Sequence, residues 1–378
     1  MKIALVSPYD YPYPPGGVQQ HIHNLAKQFS SKGHQVKIIA PSSRGEEELG
    51  GEIIKATGTI ISVPLSGSIA HIGVSPRMYR RVKKVLERER FDIIHLHEPV
   101  QPLPLFTLRH SQTVNVGTFH AQREEHPIYR RGKRVLKLFM EKLDGKIAVS
   151  EAARDTIAPY FPGEYVIIPN GIDLELFSGP HVKPIDDYLD GRPNILFLGR
   201  LEKRKGFRYL LEAFARVRQE IPRARLLVVG AYDEDDKEPF VRYAREKRIL
   251  GVRFIGPVSD EEKARYYASC DLFCAPSIGY ESFGLVLLEA MAAGKPIVVS
   301  NITGYNNLVS DGEEGILVRP QNEYVLAEAI VHLLRSPSLR EEMGRKGQAK
   351  AARYSWDKVS QEVLDYYQVV LARKRAAL

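Results

Sequence analysis

The sequence predicts an α/β protein of two domains, each a mostly parallel sheet with helices between its strands. Three observations carry that expectation. The chain has 378 residues, too long for one ordinary core and suited to two. Short β-branched apolar runs alternate with helical periodicities along its whole length, the order that builds parallel sheets. The alternation starts again after Pro169-Asn170-Gly171, which is turn chemistry, so a domain boundary is expected near residue 170.

Taken in order, KIALVS reads as a first strand, PYDYPYPPGGVQQ as a loop, the segment to about Lys32 as a helix stopped by Gly33, and HQVKIIA as the next strand. This βαβ unit has no G-x-G-x-x-G, which disfavours a nicotinamide or flavin site. Gly16-Gly17 is either a flexible turn or a place where a ligand approaches backbone at a helix N-terminus. ISVPL, a helix over about Ser75–Arg90 and the strand FDIIHLHEP follow. The last of these ends at His97 and Glu98, on the carboxyl edge where open α/β sheets bind ligands. NVGTFH places His120 in the same way. A lone strand-end histidine is often only solvated or capping, and no second ligand at i+4 points to metal. A basic helix over about Tyr129–Leu143 and the strand GKIAVS complete the first half.

The second half reads NILFLGR, the loop LEKRKG, a helix from about Phe207, then LLVVG, VRFIGP, DLFCAPS, GILV and the helix NEYVLAEAIVHLLRS. Arg200 and Lys205 flank a strand-end loop, where cations suit a diphosphate. Asp233-Glu234-Asp235 has the D-x-D spacing of some metal sites, but a solvated acidic loop is the expectation. In APSIGYESFGLVLLEAMAAGKPIVVS (275–300) a strand gives way to a turn and then to a helix expected over Ser282–Ala293, closed by Gly294 and Pro296. The amides of Phe283 and Gly284 would face an anion at its N-terminus. Glu289 interrupts an apolar helix face and needs a hydrogen-bonding partner such as a ribose hydroxyl. Two acids flanking an anion site suggest a sugar nucleotide. From about Ser355, Trp356, Val359, Val363, Tyr366, Tyr367 and Val370 recur at helical spacing, so this segment is expected to dock by one face.

The 54 basic and 46 acidic residues give a net charge of +8, compatible with anionic partners without choosing among them. No recognised nucleic-acid motif accompanies the basic residues, so no nucleic-acid partner is expected. No apolar run approaches the ~20 residues that span a bilayer, and MKIALVSPYDYPYP lacks a signal-peptide core, so a cytoplasmic location is expected. Cys270 and Cys274 are the only cysteines and read as core residues. Along SPRMYRRVKKVLERER, Arg77, Arg80, Arg81, Lys84 and Arg88 fall at helical spacing along one broad side and Met78, Val82 and Val85 line another, with Lys83 adding to the basic cluster. That pattern fits a docked helix with either a solvated face or one that meets anionic lipid headgroups.

The E-x7-E string ESFGLVLLE, with LGR-x4-KG, PGGVQ, GTFH and NGID, resembles retaining glycosyltransferases of family 4 over nearly the whole chain. The resemblance implies the GT-B fold, two Rossmann-like domains facing a cleft, with domains 1–170 and 171–354 and the helix 355–378 crossing back to the first. It implies donor binding by Gly16, Gly17, Arg200, Lys205, Glu281, Ser282, Phe283, Gly284, Leu285 and Glu289. Arg200 and Lys205 would stabilise the departing diphosphate, while His120 and Glu281 would serve the sugar near the reacting carbon. Tyr9, Gln19, His97 and Glu98 would lie on the acceptor side. No cofactor, metal or protein base is implied, because the leaving phosphate takes the acceptor proton. RRVKK and HLHEP resemble members that act on lipids, implying transfer of mannose from GDP-mannose, or glucose from a UDP-sugar, to a membrane lipid such as a phosphatidylinositol-like one, with peripheral membrane attachment. Val100 and AQREEHP (121–127) depart from the pattern on the acceptor side. A soluble glycan acceptor and a sugar-nucleotide epimerase remain as alternatives.

Overall fold

A computed structural model describes residues 1–12, 16–45, 50–65, 68–121 and 127–376. Contacts divide the chain into two compact units, Met1–Gly171 with Trp356–Leu378, and Ile172–Ser355.

The first unit is built on a seven-stranded parallel sheet. Edge to edge its strands are Ile53–Thr57, Gln35–Pro41, Lys2–Val6, Ile93–His97, Val114–Phe119, Gly145–Ala148 and Val166–Ile167. The central strands are almost wholly buried on both faces, as parallel strands covered by helices are. Lys2–Val6 pairs with Gln35–Pro41 on one side and Ile93–His97 on the other. The strand order therefore reverses there, and the loops that follow these strands open a crevice. His97 lies opposite Thr118 in the next strand, so His97 and His120 leave the same sheet edge. Separate from the sheet, Ile60–Leu65 and Ser68–Gly73 form an antiparallel hairpin, of which only ISVPL was read as a strand.

The helix Trp356–Ala376 packs on this unit through buried Trp356, Val359, Val363, Tyr367 and Val370, with Tyr366 partly buried. The Tyr367 hydroxyl pairs with His95 Nδ1 at 2.7 Å, the Lys146 amide donates to the Tyr366 hydroxyl at 3.0 Å, and Lys374 meets Asp144 at 2.7 Å.

The second unit has a six-stranded parallel sheet ordered Val252–Gly256, Arg225–Val229, Asn194–Leu198, Leu272–Ala275, Ile297–Ser300 and Gly315–Val318. Here the order reverses at Asn194–Leu198, which sets the loop holding Arg200 to Lys205 beside the loop that starts at Pro276. Cys270 and Cys274 are buried thiols in this core, both held above the usual range by burial.

Several boundaries differ from expectation. The helix expected over Ser282–Ala293 is Leu285–Ala292. Gly284, at φ 90°, is its N-cap, and that left-handed backbone keeps Glu281, Ser282 and Phe283 in the preceding loop. The helix expected over Tyr129–Leu143 is Pro127–Met140. Asp233-Glu234-Asp235 is not a loop but the start of the helix Glu234–Glu246. Asp233 caps it in a reciprocal box with Asp236, a favourable place for acids at the positive end of a helix. The helices Pro102–His110 and Pro337–Ala351 are additional to the expected elements. Part of the first loop (13–15), Ser66-Gly67 and most of AQREEHP lie outside the described residues.

Candidate active site

In the second unit, the turn Lys203–Lys205 and the loop after Leu272–Ala275 are bound to each other. The Ile278 amide donates to the Arg204 carbonyl at 2.8 Å. Gly206 has φ 68°, and a Cβ there would overlap the Pro276 carbonyl oxygen, so only glycine permits this approach. Across the junction Glu281 Oε1 accepts from Lys205 Nζ at 2.7 Å, Arg204 Nη1 at 2.8 Å and Ser277 Oγ at 3.3 Å. Ser277 Oγ in turn meets the Tyr305 hydroxyl at 2.9 Å. Glu202 pairs with Arg204 at 2.8 Å and with Arg200 at 3.1 Å. Three cations are thus fixed by two carboxylates, leaving a surplus of positive charge at a strand-end loop, where an anionic group is stabilised most. The Lys205 side chain is 15% exposed and that of Arg200 41%.

Sequence alone does not distinguish Arg204, inside LEKRKG, from a solvated arginine; only the register of the two loops does. Ser282, Phe283, Gly284 and Leu285 follow Glu281 at the N-terminus of Leu285–Ala292, with Phe283 buried. Gly284 is the N-cap of this helix, so Phe283 lies one residue before it.

Glu289 has partners within the protein. It is 7% exposed on the helix Leu285–Ala292, and the protein supplies its partners. Lys263 Nζ lies 2.8 Å from Oε1 and the Tyr267 hydroxyl donates to Oε2 at 3.0 Å. Burial alone would push Lys263 down, but the charges of Glu289 and Asp260 more than reverse it, so the ammonium stays charged. The lysine that satisfies this buried acid lies 26 residues away in sequence, and a carboxylate with two oxygens keeps acceptor capacity beyond these two bonds.

In the first unit, Gly16 is the extended N-cap of the helix Gly17–Ser31, with no side-chain cap and no acid in the first turn, a terminus suited to anions. Gln19 is 9% exposed and its amide donates to the Asp10 carbonyl at 3.3 Å. Tyr9 bridges its backbone to Ile72. Glu98, expected to meet an acceptor, is 2% exposed, and its Oε1 accepts from the amides of His120 at 2.7 Å and Ala121 at 2.9 Å. In the structure it holds the His120 backbone in place. His97 Nδ1 and His120 Nε2 are 3.0 Å apart. Burial lowers the basicity of both rings far below the ordinary value, and neighbouring histidines lower it further, so both are neutral at pH 7. His21 joins them from the helix Gly17–Ser31. Spacing did not reveal this cluster, because its members come from three separate elements.

The basic helix is Pro76–Glu89, close to expectation, with Ser75 accepting from the Arg77 amide at 3.2 Å and Arg90 left-handed at its end. Met78, Val82 and Val85 are buried, whereas Arg77, Arg80, Arg81, Lys83 and Lys84 are exposed.

Residues 15–176 match the profile described as Glycosyltransferase Family 4, and residues 186–350 match Glycosyl transferases group 1. A phosphatidyl-myo-inositol mannosyltransferase of Mycobacterium leprae is 37% identical over 377 residues, covering 98% of this chain and 97% of that protein. The chain is a family 4 glycosyltransferase. A protein of the same name from Propionibacterium freudenreichii is 36% identical over 383 residues, covering 98% of this chain and 95% of its own length. Among solved structures, Anabaena HepE in complex with UDP superposes with a TM-score of 0.78 at 20% identity, covering 98% of this glycosyltransferase and all of HepE. That likeness places the glycosyltransferase in the GT-B fold.

Proposed function

We propose that this glycosyltransferase moves mannose from GDP-mannose, with retention, to a phosphatidylinositol-like lipid at a membrane surface. The observation that carries the reading is near full-length identity of 35–37% to proteins named phosphatidyl-myo-inositol mannosyltransferase. Arg200 and Lys205 stabilise the charge that builds on the leaving diphosphate, and Glu281, itself held by Arg204, keeps Lys205 in place. The amides at Gly16-Gly17 approach the diphosphate, and His120, neutral and fixed through Glu98, serves the sugar. Calorimetric titration with GDP and UDP, then with the matching mannose and glucose nucleotides, tests the donor. Binding of UDP-glucose without GDP-mannose would overturn mannose. UDP or GDP release without an added acceptor would favour epimerase-like chemistry.

No metal takes part in this reading, since fixed cations occupy the diphosphate's neighbourhood. Activity should survive EDTA, and Asp233→Asn with Asp235→Asn should leave turnover nearly unchanged, because asparagine also caps the helix. Loss of activity on chelation, restored by magnesium or manganese, would return the acids to the site.

Attachment to the membrane runs through the exposed basic face of Pro76–Glu89. Each such residue contributes on the order of 1 kcal/mol near an anionic surface, screened beyond about 10 Å at 0.1 M salt. Co-sedimentation with anionic vesicles should therefore fall with salt. It should fall again when Arg80, Arg81, Lys83 and Lys84 are changed together to serine. Equal binding to neutral vesicles, or no loss in the variant, would favour the soluble-glycan acceptor.

A further inference from the structure

The carboxyl edge of the first unit's sheet gathers three imidazoles from elements far apart in sequence. His21 comes from the helix Gly17–Ser31, His97 ends the strand Ile93–His97, and His120 follows Val114–Phe119. One ring nitrogen of each lies within 4.8 Å of those of the others, and all three residues are more than nine-tenths buried.

Their hydrogen bonding sets them apart from the fourth histidine in this core. His95 has both nitrogens engaged, Nε2 with the Thr118 hydroxyl at 2.6 Å and Nδ1 with the Tyr367 hydroxyl at 2.7 Å. His97 uses Nδ1 with His120, and its Nε2 is fully buried with no partner. A buried orphan of this kind calls for a physical reason. His21 is turned by the Asn170 side-chain oxygen, 2.9 Å from Nδ1, which makes Nδ1 the donor and leaves the Nε2 lone pair available. That carbonyl–imidazole arrangement is the one that orients histidines which ligate metals. Trp356 packs edge-on against His21, with ring centroids 5.2 Å apart, and a Cβ at Gly171 would overlap that indole, so the support is stiff.

We propose that His21, His97 and His120 form a transition-metal site that takes a borderline ion such as Zn²⁺ through imidazole nitrogens. Three neutral nitrogen donors with no carboxylate in the group suit zinc, copper or nickel and not magnesium or calcium, which select oxygen. Zinc–nitrogen bonds of about 2.0–2.1 Å place tetrahedral ligand atoms roughly 3.3 Å apart. The widest separation in the cluster must therefore close by about 1.5 Å on binding, within reach of ring rotations. Three protein ligands leave a fourth position for water. Because His120 is a ligand, occupancy withdraws it from substrate, so zinc inhibits transfer. This last step rests on the sugar-side role of His120 under the proposed function.

The test uses untagged full-length protein stripped with a chelator and desalted, titrated with Zn²⁺ and separately with Mg²⁺. One Zn²⁺ per chain and no Mg²⁺ response at this site are expected, and Co²⁺ should give the visible absorption of a tetrahedral nitrogen-ligated ion. His97→Gln should abolish the cobalt spectrum. Asn170→Ala, which leaves all three ligands and serves where the histidine variant fails to fold, should weaken zinc binding by about 10- to 100-fold. Absence of stoichiometric zinc binding, or equal affinity in wild type and Asn170→Ala, would overturn the site. Stoichiometric binding without inhibition of transfer would uphold the site and overturn the role given to His120.

Discussion

Lys205→Ala should lower turnover by about 10²-fold or more with the fold intact, the loss expected when one preorganised electrostatic donor is removed. The surroundings make this a clean test. Glu281 keeps Arg204 at 2.8 Å and the Ser277 hydroxyl when Lys205 is gone, so no buried carboxylate is stranded. Arg200→Ala should behave in the same way, since Glu202 retains Arg204. The melting temperature should stay near that of the wild type while kcat and kcat/KM fall together, the signature of an interaction made in the transition state. Unchanged turnover in both variants would remove these cations from the leaving-group role and leave them as loop ties.

The second large effect concerns stability. Lys263→Met should cost on the order of 3–5 kcal/mol, because it leaves Glu289 as a buried and uncompensated charge. Replacing both partners, with Glu289→Leu added, should recover most of that loss, since an apolar pair of similar volume does not have to be stripped of water. Denaturant unfolding of the single and double variants closes the cycle. If Lys263→Met is as stable as the wild type, the ion pair is incidental to stability, and nucleotide affinity measured in the same variants reports separately on the donor-binding role expected of Glu289.

Much of the fold was legible because buried parallel strands carry their own signature. KIALV, NILFL and IVVS are continuous apolar runs, and each appears as a fully or nearly fully buried strand. The chain order of strand and helix then fixes a doubly wound sheet with little freedom. What escaped depended on register across large sequence separations. The Arg204–Glu281 pair spans 77 positions and the His21–Asn170 pair 149. No local periodicity marks either. Glu289 shows the converse, for its place on an apolar helix face is legible in the sequence but the lysine opposite it is not. Gly284 moved a helix start by three residues because a left-handed cap cannot be told from a first-turn glycine by pattern alone.

The passage of the chain between its two units at Gly171–Ile172 and again at Ser355–Trp356 has a consequence for biosynthesis. During translation the second unit, one continuous stretch, is synthesised in full before the helix that completes the first. The first unit is still incomplete at that point, although its sheet is synthesised earlier. Its apolar face stays open until Trp356, Val359, Val363 and Tyr367 arrive some 185 residues after Gly171. Order of synthesis and order of completion are thereby reversed, and the nascent first unit is the part that most needs a chaperone's shelter.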